Sequence, residues 1–113
     1  MELANSTADV KAVLHAAIEA VLPAWHVAVD GDVAPAAAYT LRETRSMYES
    51  GAVLYTDEVW QLHVFQHNFD PQQIDNLIAS LKATGFGVRR GAQSMDNNDY
   101  VTEITATMRH IGG

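Results

Sequence analysis

Of the residues in this sequence, His63 and His67 have the types and the spacing most similar to those of a metal or acid–base site. Both fall in a segment where apolar and polar residues alternate, which is typical of a β-strand. Alternate residues on a strand share a face and rise about 6.6–6.8 Å per pair, so the two imidazoles start roughly 13 Å apart. They do not hold one ion without ligands from another element, and we expect a surface or interface pair that can respond to pH.

Patterns that commonly mark catalysis or cofactor binding are missing from the sequence. It has no cysteine and no Gly-x-Ser-x-Gly, which excludes thiol nucleophiles, disulfides and thiolate metal sites. Gly85-Phe-Gly87 follows a helix rather than a strand, so it does not form a phosphate-binding loop. The turn at Asp30-Gly31-Asp32 lacks the further oxygen ligands of a calcium loop. We therefore expect no catalytic residue, cofactor or metal.

The adjacent arginines Arg89 and Arg90 are the only basic pair in the chain. On a strand their side chains point to opposite faces, and we expect one of them to pair with Glu103 or Asp99 on the neighbouring strand. Of the two tryptophans, Trp60 is expected in the core. The other, at position 25, fits either a core position or an interface anchor.

The composition is that of one folded domain with an acidic surface. The 113 residues are 48% hydrophobic and 19% charged, which indicates a globular chain rather than a disordered one. A formal net charge of −7 argues against nucleic-acid binding through a basic surface, although DNA could pass such a surface without sticking. The sequence lacks a signal peptide and an apolar stretch of membrane-spanning length, so we expect a protein that is cytoplasmic where it is made.

The longest strand pattern, from Val53 to about His67, leads directly into a helix at residues 71–83. Asp70 is a good N-cap and Gln73 stands three residues later, as a capping box requires. Gly85 suits the left-handed position after the helix. Apolar residues at helical spacing form the buried stripe: Ile74, Leu77, Ile78 and Leu81.

The rest of the chain gives weaker patterns. A helix is predicted over residues 7–22, capped by Ser6 and ended by Pro23. Further strands are predicted at Trp25–Val29, Tyr39–Thr44, Phe86–Arg90 and Tyr100–His110. The connections are an alanine-rich link (Val33–Ala38), a hairpin tip or exposed loop (Arg45–Gly51) and a loop (Gly91–Asn98).

The order α-β-β-β-α-β-β predicts an α+β fold in one domain, residues 1–113. We expect a mixed, mostly antiparallel β-sheet with both α-helices packed on its apolar face. The strand at 39–44 should pair with the long strand in an antiparallel hairpin. The opposite face is neither fully polar nor fully apolar, which suits either solvent or an association surface. Its residues are Gln61, His63, Phe65, Val101, Thr105 and Thr107.

This arrangement resembles the small tail-completion, or tail-terminator, proteins of long-tailed bacteriophages and prophages. The resemblance covers most of the chain. It begins with the N-terminal helix and the alanine- and proline-containing segment Trp25–Tyr39. It continues through Arg45-Ser-Met-Tyr-Glu49, the strand Trp60-Gln-Leu-His-Val-Phe65 before the helix start at Asp70, and a closing unit from Gly85 to Thr105.

The resemblance implies a non-enzymatic structural protein of the virion, assembled in the bacterial cytoplasm. Such proteins form rings, commonly hexamers, at the head-proximal end of the tail tube, where they stop tube polymerisation and join head to tail. The implied partners are other copies of the chain, the tail tube protein and head-connector proteins, while DNA passes through without specific binding and no membrane is involved. Candidate partner contacts are Arg45, Met47, Tyr48, Glu49, His63, Phe65, Arg90, Asp96 and Asn97.

Two other classes of function stay open. A small ferredoxin-like ligand-binding or regulatory domain would need a pocket, and the sequence offers no polar cluster that points inward. A cofactor-free enzyme of the dimeric α+β barrel type would need His63 as a base, in an apolar cleft beside a second polar group.

Overall fold

A computed structural model describes residues 7–27, 34–96 and 98–111, and confirms the α+β prediction. The five strands form one sheet in the order β1-β2-β3-β5-β4, in which only β1 and β2 are parallel. Ser6 and the Asp30-Gly31-Asp32 turn lie outside the described residues. The elements are α1 (Thr7–Glu19), β1 (Ala24–His26), β2 (Ala36–Glu49), β3 (Ala52–Gln66), α2 (Pro71–Ala83), β4 (Gly87–Asp96) and β5 (Asp99–Ile111).

The hydrophobic core lies between the two helices and one face of the sheet. Trp60 is buried in this core, as the sequence predicted. Ser80 of α2 donates a hydrogen bond to the Ala17 carbonyl oxygen of α1 at 2.7 Å, which joins the helices. Burial of each large aliphatic side chain contributes about 1.5–3 kcal/mol. The fully buried aliphatic residues are Val10, Leu14, Ile18, Leu62, Val64, Ile74, Leu77, Leu81 and Ile104.

Helix α2 has the predicted bounds, but its N-terminus is completed differently from a capping box. The Asp70 carboxylate accepts hydrogen bonds from the backbone N–H groups of Gln72 and Gln73, at 3.0 and 3.3 Å. The Gln73 side chain does not return to the cap, because it accepts a 2.8 Å hydrogen bond from Gln66 Nε2. Gln66 also donates to the Asp70 carbonyl oxygen, so this buried residue ties the end of β3 to the start of α2.

Helix α1 ends at Glu19, three residues before the predicted end. The chain continues as a turn in which the backbone N–H groups of Val21 and Leu22 both bond to the Ile18 carbonyl oxygen. Pro23 disfavours a helical conformation at the residue before it, so the α-helix ends before it reaches the proline. The following strand, β1, is only three residues long, and Val27 after it has a positive φ of 77°.

Strand β2 is much longer than predicted in both directions. Ala36–Ala38, predicted as part of a link, pair with β3 on one side, and Ala37 and Ala38 also pair with β1 on the other. Residues 45–49, predicted as a tip or loop, continue the strand, and only Ser50 and Gly51 form the turn. Both turn residues have positive φ angles (52° and 80°), which matches the twist of a two-residue hairpin.

The far end of this hairpin projects from the body of the molecule, and we call residues 45–57 the arm. Its base is the pair Arg45–Asp57, and β5 runs beside β3 only as far as the pair Tyr55–Ile111. Beyond Tyr55 the two strands continue without a third strand in the described part of the chain. The arm contributes to the molecule's length of 52 Å, against 25 and 22 Å in the other directions.

Strand β4 is also longer than predicted, because most of the predicted Gly91–Asn98 loop is strand. The pairing with β5 shifts at a bulge between Arg90 and Gln93 and then continues to the pair Asp96–Asp99. A Cβ atom on Gly91 would lie 3.2 Å from the Glu103 Cβ, so glycine suits this close approach. Asn98, which precedes β5, lies in a turn with a φ of 70°.

Candidate functional site

The sheet face that points away from the helices, which we call the open face, carries two of the predicted contact residues. His63 Nε2 lies 3.5 Å from the Glu103 carboxylate, and both side chains are about half exposed. Phe65 lies opposite Val101 on the neighbouring strand. Neither helix packs on this face, where His63 and Glu103 are partly exposed but Val101 is only 6% exposed among its neighbours.

The second histidine, His67, lies after the end of β3 rather than within the strand. Its Nδ1 is 2.6 Å from the Asp99 carboxylate, so the two histidines pair with different acids. Within the described ranges, no group of three or more histidine, aspartate and glutamate side chains is placed to hold a metal ion.

A groove of about 430 Å³ crosses the open face at the base of the arm, and we call it the arginine groove. Arg42 and Arg45 come from β2 at one side, and Arg89 comes from β4 at the other. The strands between them supply the floor, and its residues are Val59, Thr105 and Thr107.

The three arginines of this groove differ in their partners. Arg45 binds both carboxylate oxygens of Glu43, at 2.7 and 3.2 Å. Arg42 donates only to the neutral Gln61 side chain, at 3.3 Å. Arg89 has no partner among the described residues. The Glu43 carboxylate also lines the groove and interacts with Arg42 through their opposite charges, but neither Arg42 nor Arg89 forms an ion pair at contact distance in the described chain.

The other arginine of the basic pair, Arg90, does not bind an acid of the neighbouring strand as predicted. Its Nη2 lies 3.4 Å from the Asp75 carboxylate of α2. Its register partner is Ile104, a core residue of the helix-covered face, so Arg90 points toward the helix rather than toward Glu103.

Two ion pairs at the base of the arm lower carboxyl pKa values. The hydrogen bond from Arg45 holds the pKa of Glu43 below its usual range. The hydrogen bonds from Arg109 to Asp57, at 2.8 and 3.2 Å, do the same for the pKa of Asp57. Arg109 also lies over the Tyr55 ring, 3.6 Å from its centroid.

The outer arm carries exposed apolar side chains next to an unpaired acid. Met47 is 48% exposed and Tyr48 is 64% exposed, and Leu54 of the facing strand is also exposed. Glu49, which follows at the turn, has no partner in the described part of the chain. The arm tip therefore combines aromatic and aliphatic surface with a free carboxylate.

The predicted contact residues do not form one surface. Four lie on the arm or its base, two lie on the open face, and Arg90 faces the helix side. Asp96 lies at the other end of the molecule, beside Met95, which is 58% exposed. Asn97 lies outside the described residues.

A buried polar cluster on the helix side contradicts the expectation that no polar group points inward. Glu58 is 0% exposed and His110 is 3% exposed, and His110 Nε2 lies 2.7 Å from Glu58 Oε2. The two atoms are close enough for an ion pair, but their angles do not meet the criteria for a hydrogen bond. The Trp60 indole donates to Glu58 Oε1 at 3.2 Å. The signal was present in the sequence, because strand alternation places Glu58 with Trp60 and His110 with Met108.

A second aromatic cluster lies where α1 meets β2. His15 Nδ1 is 2.8 Å from the Tyr39 hydroxyl, and the His26 ring lies 5.3 Å from the Tyr39 ring. Burial, followed by the nearby Glu19 carboxylate, raises the pKa of Tyr39. His15 lies on α1, and its side chain is partly exposed.

Comparison of the chain with protein-family models and with curated proteins gives no match. In the described ranges, neither helix has the length and apolar character needed to cross a membrane.

Proposed function

We propose that this chain is a structural subunit of a long-tailed phage or prophage that forms a ring at the end of the tail tube. The ring terminates tail polymerisation and joins the head to the tail. The observation that carries this proposal is the arm, which projects from a small rigid body and exposes Met47 and Tyr48 near its tip. Exposed apolar surface of this kind marks association sites in proteins.

The outer arm receives little stabilisation from the rest of its own subunit. A two-stranded hairpin is only marginally stable in water by itself, and the side chains of the outer arm are far from the core. Tyrosine and methionine are enriched in protein interfaces, where a buried aromatic residue often supplies much of the binding energy. Contact with a neighbouring copy would therefore stabilise both the arm and the assembly.

Charge supports the same role. A ring of subunits with a net charge of −7 each gives a negatively charged lumen past which DNA moves without being held. The tail tube protein and the head-connector proteins then bind the two faces of the ring, and the site of action is the virion.

A ligand-binding or regulatory domain is the second candidate, because the arginine groove is large enough for a small anion. The enzyme alternative has less support. His63 does not line this groove, and it is half exposed beside Glu103 rather than enclosed in an apolar cleft.

The test is light scattering coupled to size exclusion over a wide range of protein concentration, with negative-stain images of the same fractions. We expect annular particles of several subunits. A matched variant replaces residues 47–55 by Asn-Gly, which closes the hairpin at the pair Ser46–Thr56. Because this change leaves every core residue in place, the variant should fold cooperatively and remain monomeric. A tight dimer at all concentrations, without rings, would contradict the proposal and favour the ligand-binding alternative.

A further inference from the structure

Most exposed charges of the described chain are paired, and the exceptions have a pattern. Among the described acids, Glu49 and Asp96 are the two without a partner, and each lies at a hairpin tip. Two of the cations that form no ion pair at contact distance, Arg42 and Arg89, line the same groove. The unpaired charges of opposite sign lie too far apart on one subunit to meet, because the arm tip projects away from the groove at its base.

We propose that the arginine groove of one copy binds the arm tip of the next copy. Glu49 would lie between Arg42 and Arg89, which stand on the two sides of the groove. This inference rests on the proposed self-association and names the two surfaces that carry it.

The dimensions of the groove fit a hairpin tip. Its two arginine-bearing sides, β2 and β4, are separated by three strand spacings. At about 4.8 Å per spacing the distance between them is about 14 Å, whereas the two strands of a hairpin are about 4.8 Å apart. A hairpin tip with its side chains can therefore lie between the two walls, where either guanidinium can reach a carboxylate on it.

Electrostatics favours this contact over others between identical chains. Two copies with a net charge of −7 repel each other unless opposite charges meet at the interface. The groove offers the two arginines of the described chain that form no ion pair at contact distance, and the arm tip offers an acid without a partner beyond the last pair between β3 and β5. Such a contact joins different surfaces of the two copies, so each copy keeps one free tip and one free groove until a ring closes.

The tip of the β4–β5 hairpin is the rival occupant, since it carries Asp96 and an exposed methionine. Its aromatic neighbours in the described chain are Tyr100, which pairs with Met95, and Phe69, which is 43% exposed and lies against the Tyr100 ring. On the arm, Tyr48 is 64% exposed and directly precedes the acid, and tyrosine commonly anchors an interface. Asp96 therefore provides the matched control for Glu49.

Charge reversal tests the contact directly, with the association of full-length chains measured by light scattering. We expect Glu49→Lys and Arg89→Glu each to weaken association roughly tenfold or more, and Asp96→Lys to change it much less. An equimolar mixture of the Glu49→Lys and Arg89→Glu chains should associate again, because the lysine of one tip then meets the glutamate introduced in the other groove, and the remaining contact joins an unchanged tip to an unchanged groove. Added NaCl should weaken association of the unchanged protein, since salt screens exposed charges.

Cross-linking gives a readout that does not depend on charge. The chain has no cysteine, so Tyr48→Cys with Thr107→Cys introduces one thiol in the tip and one in the groove. Oxidation should give a ladder of covalent multimers, whereas Met95→Cys with Thr107→Cys should not.

The outcomes separate this inference from the proposed function. If rings form and both charge reversals leave them unchanged, the tip-to-groove contact is wrong while the ring proposal stands. If Asp96→Lys rather than Glu49→Lys prevents association, or if the methionine-based pair gives the ladder, the other hairpin occupies the groove and the inference is overturned. If the unchanged chain never forms more than a dimer, both proposals fail.

Discussion

At the scale of single residues, Glu58 and His110 are the feature that most affects stability. Two ionisable side chains are enclosed on the helix side of the sheet, and the Trp60 indole uses the remaining carboxylate oxygen. The cost of burying such a pair is offset only while both members are present. Loss of one partner should therefore be far more damaging than replacement of the pair.

We predict that His110→Leu lowers the free energy of unfolding by about 3–5 kcal/mol, because it leaves the buried Glu58 carboxylate with the Trp60 indole but without its basic partner. The double variant Glu58→Gln/His110→Leu removes that charge and keeps an acceptor for the Trp60 indole, so it should recover at least half of the loss. Urea denaturation followed by circular dichroism measures both. A loss below about 1 kcal/mol in the single variant would show that the pair is not coupled as the geometry indicates.

A second residue-scale prediction concerns acid sensitivity at the base of the arm. Since Arg109 lowers the pKa of Asp57 in the folded state, this pair stabilises the fold above the unfolded pKa of about 4. That contribution is lost as the pH falls through the lowered folded pKa. Asp57→Asn should therefore reduce the stability at pH 7 slightly and make the loss of stability below pH 4 less steep.

Urea denaturation at low salt across this pH range provides the measurement, because salt would screen an exposed pair. Arg109→Gln should make the free energy of unfolding depend less on pH, as Asp57→Asn does. The double variant should show the same pH dependence as either single variant. An unchanged profile in Arg109→Gln would assign the acid sensitivity to other carboxyl groups.

At the scale of elements, the local signals explain which parts of the fold were predictable. Helix α2 has an N-cap, an apolar stripe and a C-terminal glycine in the sequence itself, and its bounds were right. Residues 45–49 of the arm and the outer part of β4 were predicted as a tip or loop because their side chains are exposed on both faces, which removes the alternation that identifies a half-buried strand. The turn at Ser50 and Gly51 also lacks the asparagine that usually marks a two-residue hairpin.

We predict that Asp70→Ala lowers the free energy of unfolding by about 1 kcal/mol, because it removes the acceptor for two backbone N–H groups at the start of α2. Asp70→Asn keeps an acceptor oxygen and is the matched control, with an expected loss of a few tenths of that amount. Thermal unfolding followed by the circular dichroism of the helices would distinguish the two variants. Equal losses in the two variants would indicate that Gln66, rather than the cap, holds this helix start.

At the scale of the whole molecule, the sequence indicated the class of fold but not the shape. Element order and alternation predicted a sheet with two helices on one face, and the packing of both helices on Trp60 and its neighbours confirms that prediction. The sequence did not reveal the projecting arm or the groove at its base, because both arise from register. Arg42 and Arg89 are distant in the chain and line the same groove only through the strand order.

The register of the sheet also has a mechanical consequence for the arm. The hydrogen bonds between β3 and β5 continue without interruption from Tyr55–Ile111 to Gln66–Tyr100. A pull on the arm tip along the strand direction loads these bonds side by side in shear, whereas a peeling force would open them one after another. A force applied at the tip is thus distributed over the hydrogen bonds in the middle of the sheet. In a chain of such subunits, we therefore expect the contacts between copies to break before any one subunit unfolds.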